Sequence, residues 1–176
     1  MNIFFLKTNS MIFLLYIINI NNSNTEAFTS ILNGNSDGGK SNYHLTLYLG
    51  KTKNSQTFLI DTKGPIISSS CKMINSNNSY LNDEKDIINC NNNTCDSQPY
   101  SVCINRQCMI EYDYFDYIIR GIYVNQYISF MEGAKSHYLS IGCTSKETIN
   151  FISTNIDGIL GLFDNKNSII NILNNR

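Results

Sequence analysis

Four groups of side chains in this sequence have the types and spacing to do chemistry. Six cysteines, Cys71, Cys90, Cys95, Cys103, Cys108 and Cys143, form an even set compatible with a disulfide framework. Sequence alone leaves every pairing open, and the cluster from Cys90 to Cys108 is also spaced for four thiolates around a tetrahedral zinc ion. Residues 34–41, GNSDGGKS, fit the pattern of a phosphate-binding loop, in which backbone N–H groups and a Lys cradle phosphates. That chemistry needs a strand before the loop and a helix after it, whereas residues 43–49 read as a strand, so a flexible Gly/Ser/Asn linker is expected instead. The two histidines, His44 and His137, stand in strand-like segments without a second ligand or nucleophile at a catalytic spacing, and ordinary strand positions are expected. The last group is a carboxylate, Asp61, at the end of an apolar run, FLID, where an acid either caps a turn or faces a cleft.

The elements that must position these groups read as short strands. Leu45, Leu47 and Leu49 alternate with His44, Thr46 and Tyr48, the period of a half-buried strand ending at Gly50. Residues 57–60 follow after a polar stretch, which predicts a hairpin. Further strands are expected over 108–114, 118–124, 127–130 and 138–142. Only residues 168–173 look helical. Residues 71–103 read as a long, polar, Cys-stapled excursion on the surface.

Composition supports a β-rich domain and excludes some functions. The 176 residues suffice for one domain of ordinary size, and 11 Tyr, 9 Phe and many Ile favour strands. A net charge of -1 with 15% charged residues supplies no electrostatic footprint for nucleic acid or an anionic membrane surface. Asn makes up roughly 15% and clusters in runs, so the sequons at Asn21, Asn77 and Asn92 carry little weight. At the N-terminus Lys7 precedes the apolar stretch 11–20, MIFLLYIINI, which predicts a secretory signal peptide over 1–23, with an uncleaved signal anchor or a buried strand as the alternatives. An oxidising compartment follows from both the signal and the cysteines.

The segment FLIDTKGPIISSSC, residues 58–71, resembles the first catalytic turn of pepsin-like aspartic proteases, Asp-Thr-Gly-Ser/Thr-Ser, with Asp61 at the catalytic carboxylate and Thr62 beside it. Other parts follow in that family's order. YDYFDYIIRG, residues 112–121, resembles the flap hairpin, and counting back from Gly121 puts Tyr114 at the flap tyrosine. NIDGILGLF, residues 155–163, is similar to the segment whose Ile159, Leu160 and Gly161 complete a psi-shaped loop beside the Asp. The Cys-rich stretch 90–112 and the LSIGC around Cys143 resemble plasmepsin V and its apicomplexan relatives. The resemblance spans residues 41–173 and implies endoproteolysis of secretory-pathway proteins, in the endoplasmic reticulum lumen or after secretion.

That chemistry requires two carboxylates about 3 Å apart sharing one proton, one activating water while the other polarises the scissile carbonyl. The resemblance implies that the second comes from a second lobe or from a homodimer partner. Two departures stand against activity. Lys63 falls where the family has Gly, adding bulk and a cation that opposes a shared proton, and Gly64 and Pro65 replace the usual hydroxyl residue and its neighbour. Phe115 and Tyr117 stand where flap glycines are common.

The expected fold is therefore mainly β: a single N-terminal lobe of a pepsin-like barrel over 43–174, with short helices, a Cys-rich insertion about 71–108 and a flap about 109–124, preceded by a polar linker over 24–42. The expected function is aspartic endopeptidase, the alternative a degenerate lobe that binds peptides or partners without cutting them. Peptide or protein substrates and a second lobe are the expected partners. No cofactor, metal or nucleic acid is expected, and membrane contact only through an uncleaved signal segment.

Overall fold

The computed structural model describes residues 3–9, 12–18, 28–33, 43–71, 86–90, 93–114, 117–144, 155–163 and 169. The chain forms eleven strands among these residues: β1 (Ile3–Asn9), β2 (Ile12–Ile18), β3 (Phe28–Leu32), β4 (His44–Leu49), β5 (Asn54–Asp61), β6 (Ile67–Ser70), β7 (Ser101–Ile104), β8 (Gln107–Tyr114), β9 (Tyr117–Ser129), β10 (His137–Thr144) and β11 (Gly158–Gly161). A single turn of helix, α1 (Asn93–Asp96), precedes β7, and Ile169 in the expected helical tail is helical and buried.

Strands β1, β2 and β3 pair antiparallel in a sheet of their own, with the apolar stretch of the expected signal segment lying largely in β2. An apolar, β-branched run satisfies both a targeting segment and a strand, so this pairing bears on the folded chain and leaves targeting open to test. The linker, the glycine-rich loop at 34–41 and the three sequons lie outside the described residues, apart from the strand edges at 28–33.

The remaining strands form one sheet in the order β10, β6, β11, β5, β4, β9, β8, β7, and an added pairing of β10 with β9 closes six of them into a barrel. β9 makes closure possible by its length of 13 residues. Its first half pairs with β8, residues 121–128 pair with β10, and Ile128 and Ser129 reach β4. Gly121 stands at the handover between partners, where a Cβ would overlap the Cys143 carbonyl. Barrel closure leaves fewer open edges to cover, which suits a domain of this size.

The alternation in β4 turns Leu45, Leu47 and Leu49 inward, where they meet Phe58, Val124, Ile128, Ile141 and Leu160 in the main core. Each such side chain contributes about 2 kcal/mol relative to exposure. A second cluster joins Ile88, Cys95, Cys108, Ile110, Tyr123 and Ile66. Among its described residues the Cys-stapled excursion is mostly exposed or half-buried, as a surface segment is, with two exceptions. Ile88 and Cys95 are buried, and Ile87 and Asn89 bridge to Val124 and Gln107. The two apolar residues drew this part of the excursion onto the barrel, because leaving them in water forfeits their burial.

All six cysteines pair: Cys71 with Cys143, Cys90 with Cys103, and Cys95 with Cys108. Their Cα separations, 5.3, 5.7 and 5.6 Å, fall in the bridging range. The first links the end of β6 to β10, the second ties Cys90 to β7, and the third ties α1 to β8. Three disulfides mark an oxidising compartment, extracellular or secretory.

Candidate active site

Asp61 is the last residue of β5, and its position is set by main chain on every side. β11 inserts between β5 and β6, parallel to the first and antiparallel to the second, so two strands adjacent in sequence are separated by a third from far along the chain. Gly158, Ile159, Leu160 and Gly161 stand opposite Phe58, Leu59, Ile60 and Asp61 in register. The pairing continues past the strand end: Leu162 N–H donates to the Asp61 carbonyl at 2.8 Å, Gly161 N–H to Ile66 O at 2.7 Å and Phe163 N–H to Gly64 O at 3.1 Å. Three backbone bonds therefore pin both arms of the turn 62–66 to one segment.

Gly161 is required by this arrangement, since a Cβ there would overlap Gly64 O and both backbone atoms of Ile66. Asp157 closes the other end of the same strands. Its Oδ2 accepts Thr57 N–H at 3.0 Å, its N–H donates to Thr57 O at 2.8 Å, and its carbonyl accepts Ser70 N–H at 2.7 Å. It is a fastener between β5, β6 and β11, distant in role from any acid or base.

Within the turn, Asp61 is half-buried while Thr62 and Lys63 are exposed. Asp61 Oδ1 accepts the Lys63 backbone N–H at 2.9 Å. The bulk expected from Lys63 at the carboxylate is not found, because its side chain turns to solvent. The position whose side chain would meet the carboxylate is Gly64, buried, where a Cβ would overlap Asp61 Oδ2. Close approach is thus supplied one residue later than the sequence comparison suggests.

The flap tyrosine raises a similar question of register. Tyr114 ends β8 and pairs with Tyr117 across the hairpin, and its side chain lies outside the described residues. Tyr112, two residues earlier and half-buried, brings its hydroxyl to the Asp61 turn, 3.3 Å from where a Cβ on Gly64 would stand. Burial raises the Tyr112 phenol above its ordinary range, and the negative charge of Asp61 and then Tyr100 push the same way. Tyr100 lies against it, ring centroids 4.6 Å apart and tilted 40°. Tyr112 and Tyr100 were missed in the sequence, where Gly64 was read only as the replacement of a hydroxyl residue. The signal available for Tyr112 was its place in the flap-like segment YDYFDYIIRG, two residues before the position counted as the flap tyrosine.

The arrangement combines a half-buried carboxylate held at a strand end with a phenol from the β8–β9 hairpin near the same turn, leaving one partly exposed acid–base group. Among the described residues no group of His, Cys, Asp and Glu is gathered to hold a metal ion.

The comparisons with known proteins bear on this geometry. The xylanase inhibitor N-terminal family model matches residues 43–176. The chain belongs to the xylanase inhibitor N-terminal family. That family is an N-terminal lobe of the pepsin-like aspartic protease fold, and the barrel with its inserted β11 agrees with it. Among solved structures, conglutin gamma, a basic 7S globulin from lupine seeds, superposes with a TM-score of 0.57 at 15% identity, over 81% of this chain and 41% of that one. At that identity the likeness speaks for the fold alone. The chain spans about two fifths of the length of that structure. No curated protein matches the sequence.

Proposed function

We propose that this lobe supplies one half of an aspartic endopeptidase cleft, with Asp61 as one of the two carboxylates. A second lobe or a second copy brings the other, and the substrate is an extended segment of a secretory-pathway protein. In that pair one carboxylate takes a proton from water while the protonated one polarises the scissile carbonyl. The reading rests on one observation above the rest: Asp61 is held in register against Gly161 by β11 and stays partly exposed to solvent. Extended peptide would pair its backbone with the hairpin of β8 and β9. Residues 1–23 are proposed as the targeting segment and the endoplasmic reticulum lumen as the destination. The likeness to plasmepsin V belongs to this proposal as well and rests on the Cys90–Cys108 spacing and LSIGC.

A second reading, a lobe that binds peptides without cutting them, is favoured by Gly64, which leaves the turn without the hydroxyl that orients a carboxylate in pepsin-like enzymes. The matching family is named for a xylanase inhibitor, a name that speaks of inhibition and not of proteolysis. A peptide-library cleavage assay on oxidised protein at acidic and neutral pH, with Asp61→Asn as control, separates the two. Cleavage at acidic pH that disappears in Asp61→Asn is the expected result. Absence of cleavage alongside retained peptide binding would leave the second reading.

A further inference from the structure

The disulfides differ in what surrounds their sulfurs. Cys143, Cys95 and Cys108 are buried, so two of the bridges have at least one half closed to solvent. In Cys90–Cys103 neither half is buried: Cys103 is exposed and Cys90 half-buried. Cys103 also stands directly opposite Cys108 in the register of β7 with β8. The hairpin between them turns on Asn105 and Arg106, with φ of 51° and 66°, the left-handed pair of a two-residue turn. Cys108 N–H turns away from β7 and donates to Ile88 O at 2.9 Å, so Cys103 and Cys108 face each other as a pair without mutual backbone bonds. The Cα atoms of such a pair stand about 4.5 Å apart, inside the range that a disulfide spans. Cys90, for its part, packs on the cluster that holds Cys95 and Cys108. Four sulfurs bonded in a crossed pattern are therefore neighbours in a second pattern as well.

We propose that Cys90–Cys103 is a thiol-exchange site, through which a small thiol of the glutathione class converts Cys90–Cys103 and Cys95–Cys108 into Cys90–Cys95 and Cys103–Cys108. The thiolate attacks the exposed Cys103 Sγ, forms a mixed disulfide there and expels the Cys90 thiolate. Cys90 attacks Cys95 Sγ, forming Cys90–Cys95 and expelling the Cys108 thiolate. Cys108, opposite Cys103, attacks Cys103 Sγ, forms Cys103–Cys108 and returns the small thiol. Each displacement makes one S–S bond and breaks one, so no oxidant or reductant is consumed. The exchange changes what the insertion holds. In the crossed pattern both bridges tie residues 90–95 to the hairpin of β7 and β8, whereas in the second each element is bridged to itself. Tyr100, between them, lies against Tyr112 at φ of 54°, a left-handed backbone that bulky residues rarely take. Such a conformation persists where its surroundings over-determine it: the crossed bridges bracket it, and the preceding Pro99 carbonyl accepts the Tyr123 hydroxyl at 2.6 Å. Exchange removes the bracket and relaxes the wall beside the Asp61 turn. Its role as a control on cleavage rests on the endopeptidase reading, whereas the exchange itself does not.

The test needs no activity. Oxidised protein is held in native buffer with reduced glutathione at about pH 6.5 and about pH 7.5, quenched with acid, alkylated, and cut after Tyr100 and Arg106, among other sites, for mass spectrometry of the bridged peptides. The crossed pattern joins three peptides in one species. The second gives a peptide with Cys90 and Cys95 bridged internally, and a separate pair carrying Cys103 and Cys108. The second pattern should grow with glutathione concentration, about tenfold faster at the higher pH as the thiolate fraction rises, while Cys71–Cys143 stays intact. A crossed pattern that persists unchanged, or Cys71–Cys143 opening at the same rate as Cys90–Cys103, would overturn the proposal. Exchange in a protein that cleaves no peptide in either pattern would remove only the endopeptidase reading.

Discussion

The Asp61 turn and the flap base beside it are built by opposite means. The turn is fixed by main chain: a strand inserted in register, three backbone hydrogen bonds and a glycine whose Cβ has no room. The flap base is fixed by side chains and covalent links: two disulfides, a strained Tyr100 and the Tyr123 hydroxyl on Pro99 O. The first is part of the barrel and stands or falls with it. The second depends on an oxidising compartment, so the approach of Tyr112 to the Asp61 turn joins an unconditional element to a conditional one.

Four changes sharpen this contrast. Gly161→Ala should be the most damaging, because its Cβ meets backbone that cannot move without breaking the β11 clamp. A loss of about 3 kcal/mol or more in urea denaturation is expected, with the Asp61 turn unprotected in hydrogen exchange. Replacing Cys95 and Cys108 by Ser and Ala, which opens a link of 13 residues' separation, should cost about 3 kcal/mol. Here the exchange should rise in residues 93–112 while β5 and β11 stay protected. Equal loss of protection in both regions would dissolve the distinction.

Tyr123→Phe should be milder, about 1 kcal/mol for the lost bond to Pro99 O. It also has a pH signature. Burial holds the Tyr123 phenol well above the ordinary tyrosine value of 10.0. The folded chain keeps that proton where the unfolded chain loses it, so its contribution is complete below about pH 10 and declines as pH rises beyond it. Denaturation midpoints between pH 9 and about 11 should fall less steeply in Tyr123→Phe than in the parent. Smallest of all, Lys63→Gly should alter stability by no more than about 0.5 kcal/mol, since the exposed side chain is absent from the packing and the bond to Asp61 comes from the backbone.

Much of the barrel was legible because burial alternates with the strand period. Leu45, Leu47 and Leu49 announce β4, and the order of FLID, the hairpin and DGILGL traces the route to the inserted strand. The site was legible only as far as single residues carry their own signature. Asp61 and Gly161 do so, as a carboxylate at an apolar strand end and a glycine in an apolar run. Tyr112 does not, because it is one of several aromatics in the hairpin segment and only the tertiary approach of β8 to the turn singles it out. The lack of room at Gly64 was hidden for the same reason, since which of two consecutive turn residues faces a carboxylate depends on backbone angles and not on residue type. Cysteine pairing and the burial of Ile88 were likewise consequences of the completed fold, not of local pattern.

The most direct test of Asp61 as the chemical centre of a peptide cleft is calorimetric titration of oxidised protein, and of Asp61→Asn, with an extended peptide carrying a hydroxyl in place of the scissile carbonyl. Saturable binding at acidic pH that weakens at least about tenfold in Asp61→Asn is predicted, the magnitude of one hydrogen bond to a charged group. Equal affinity in the two proteins, or no binding to either, would contradict the assignment of Asp61 to the cleft.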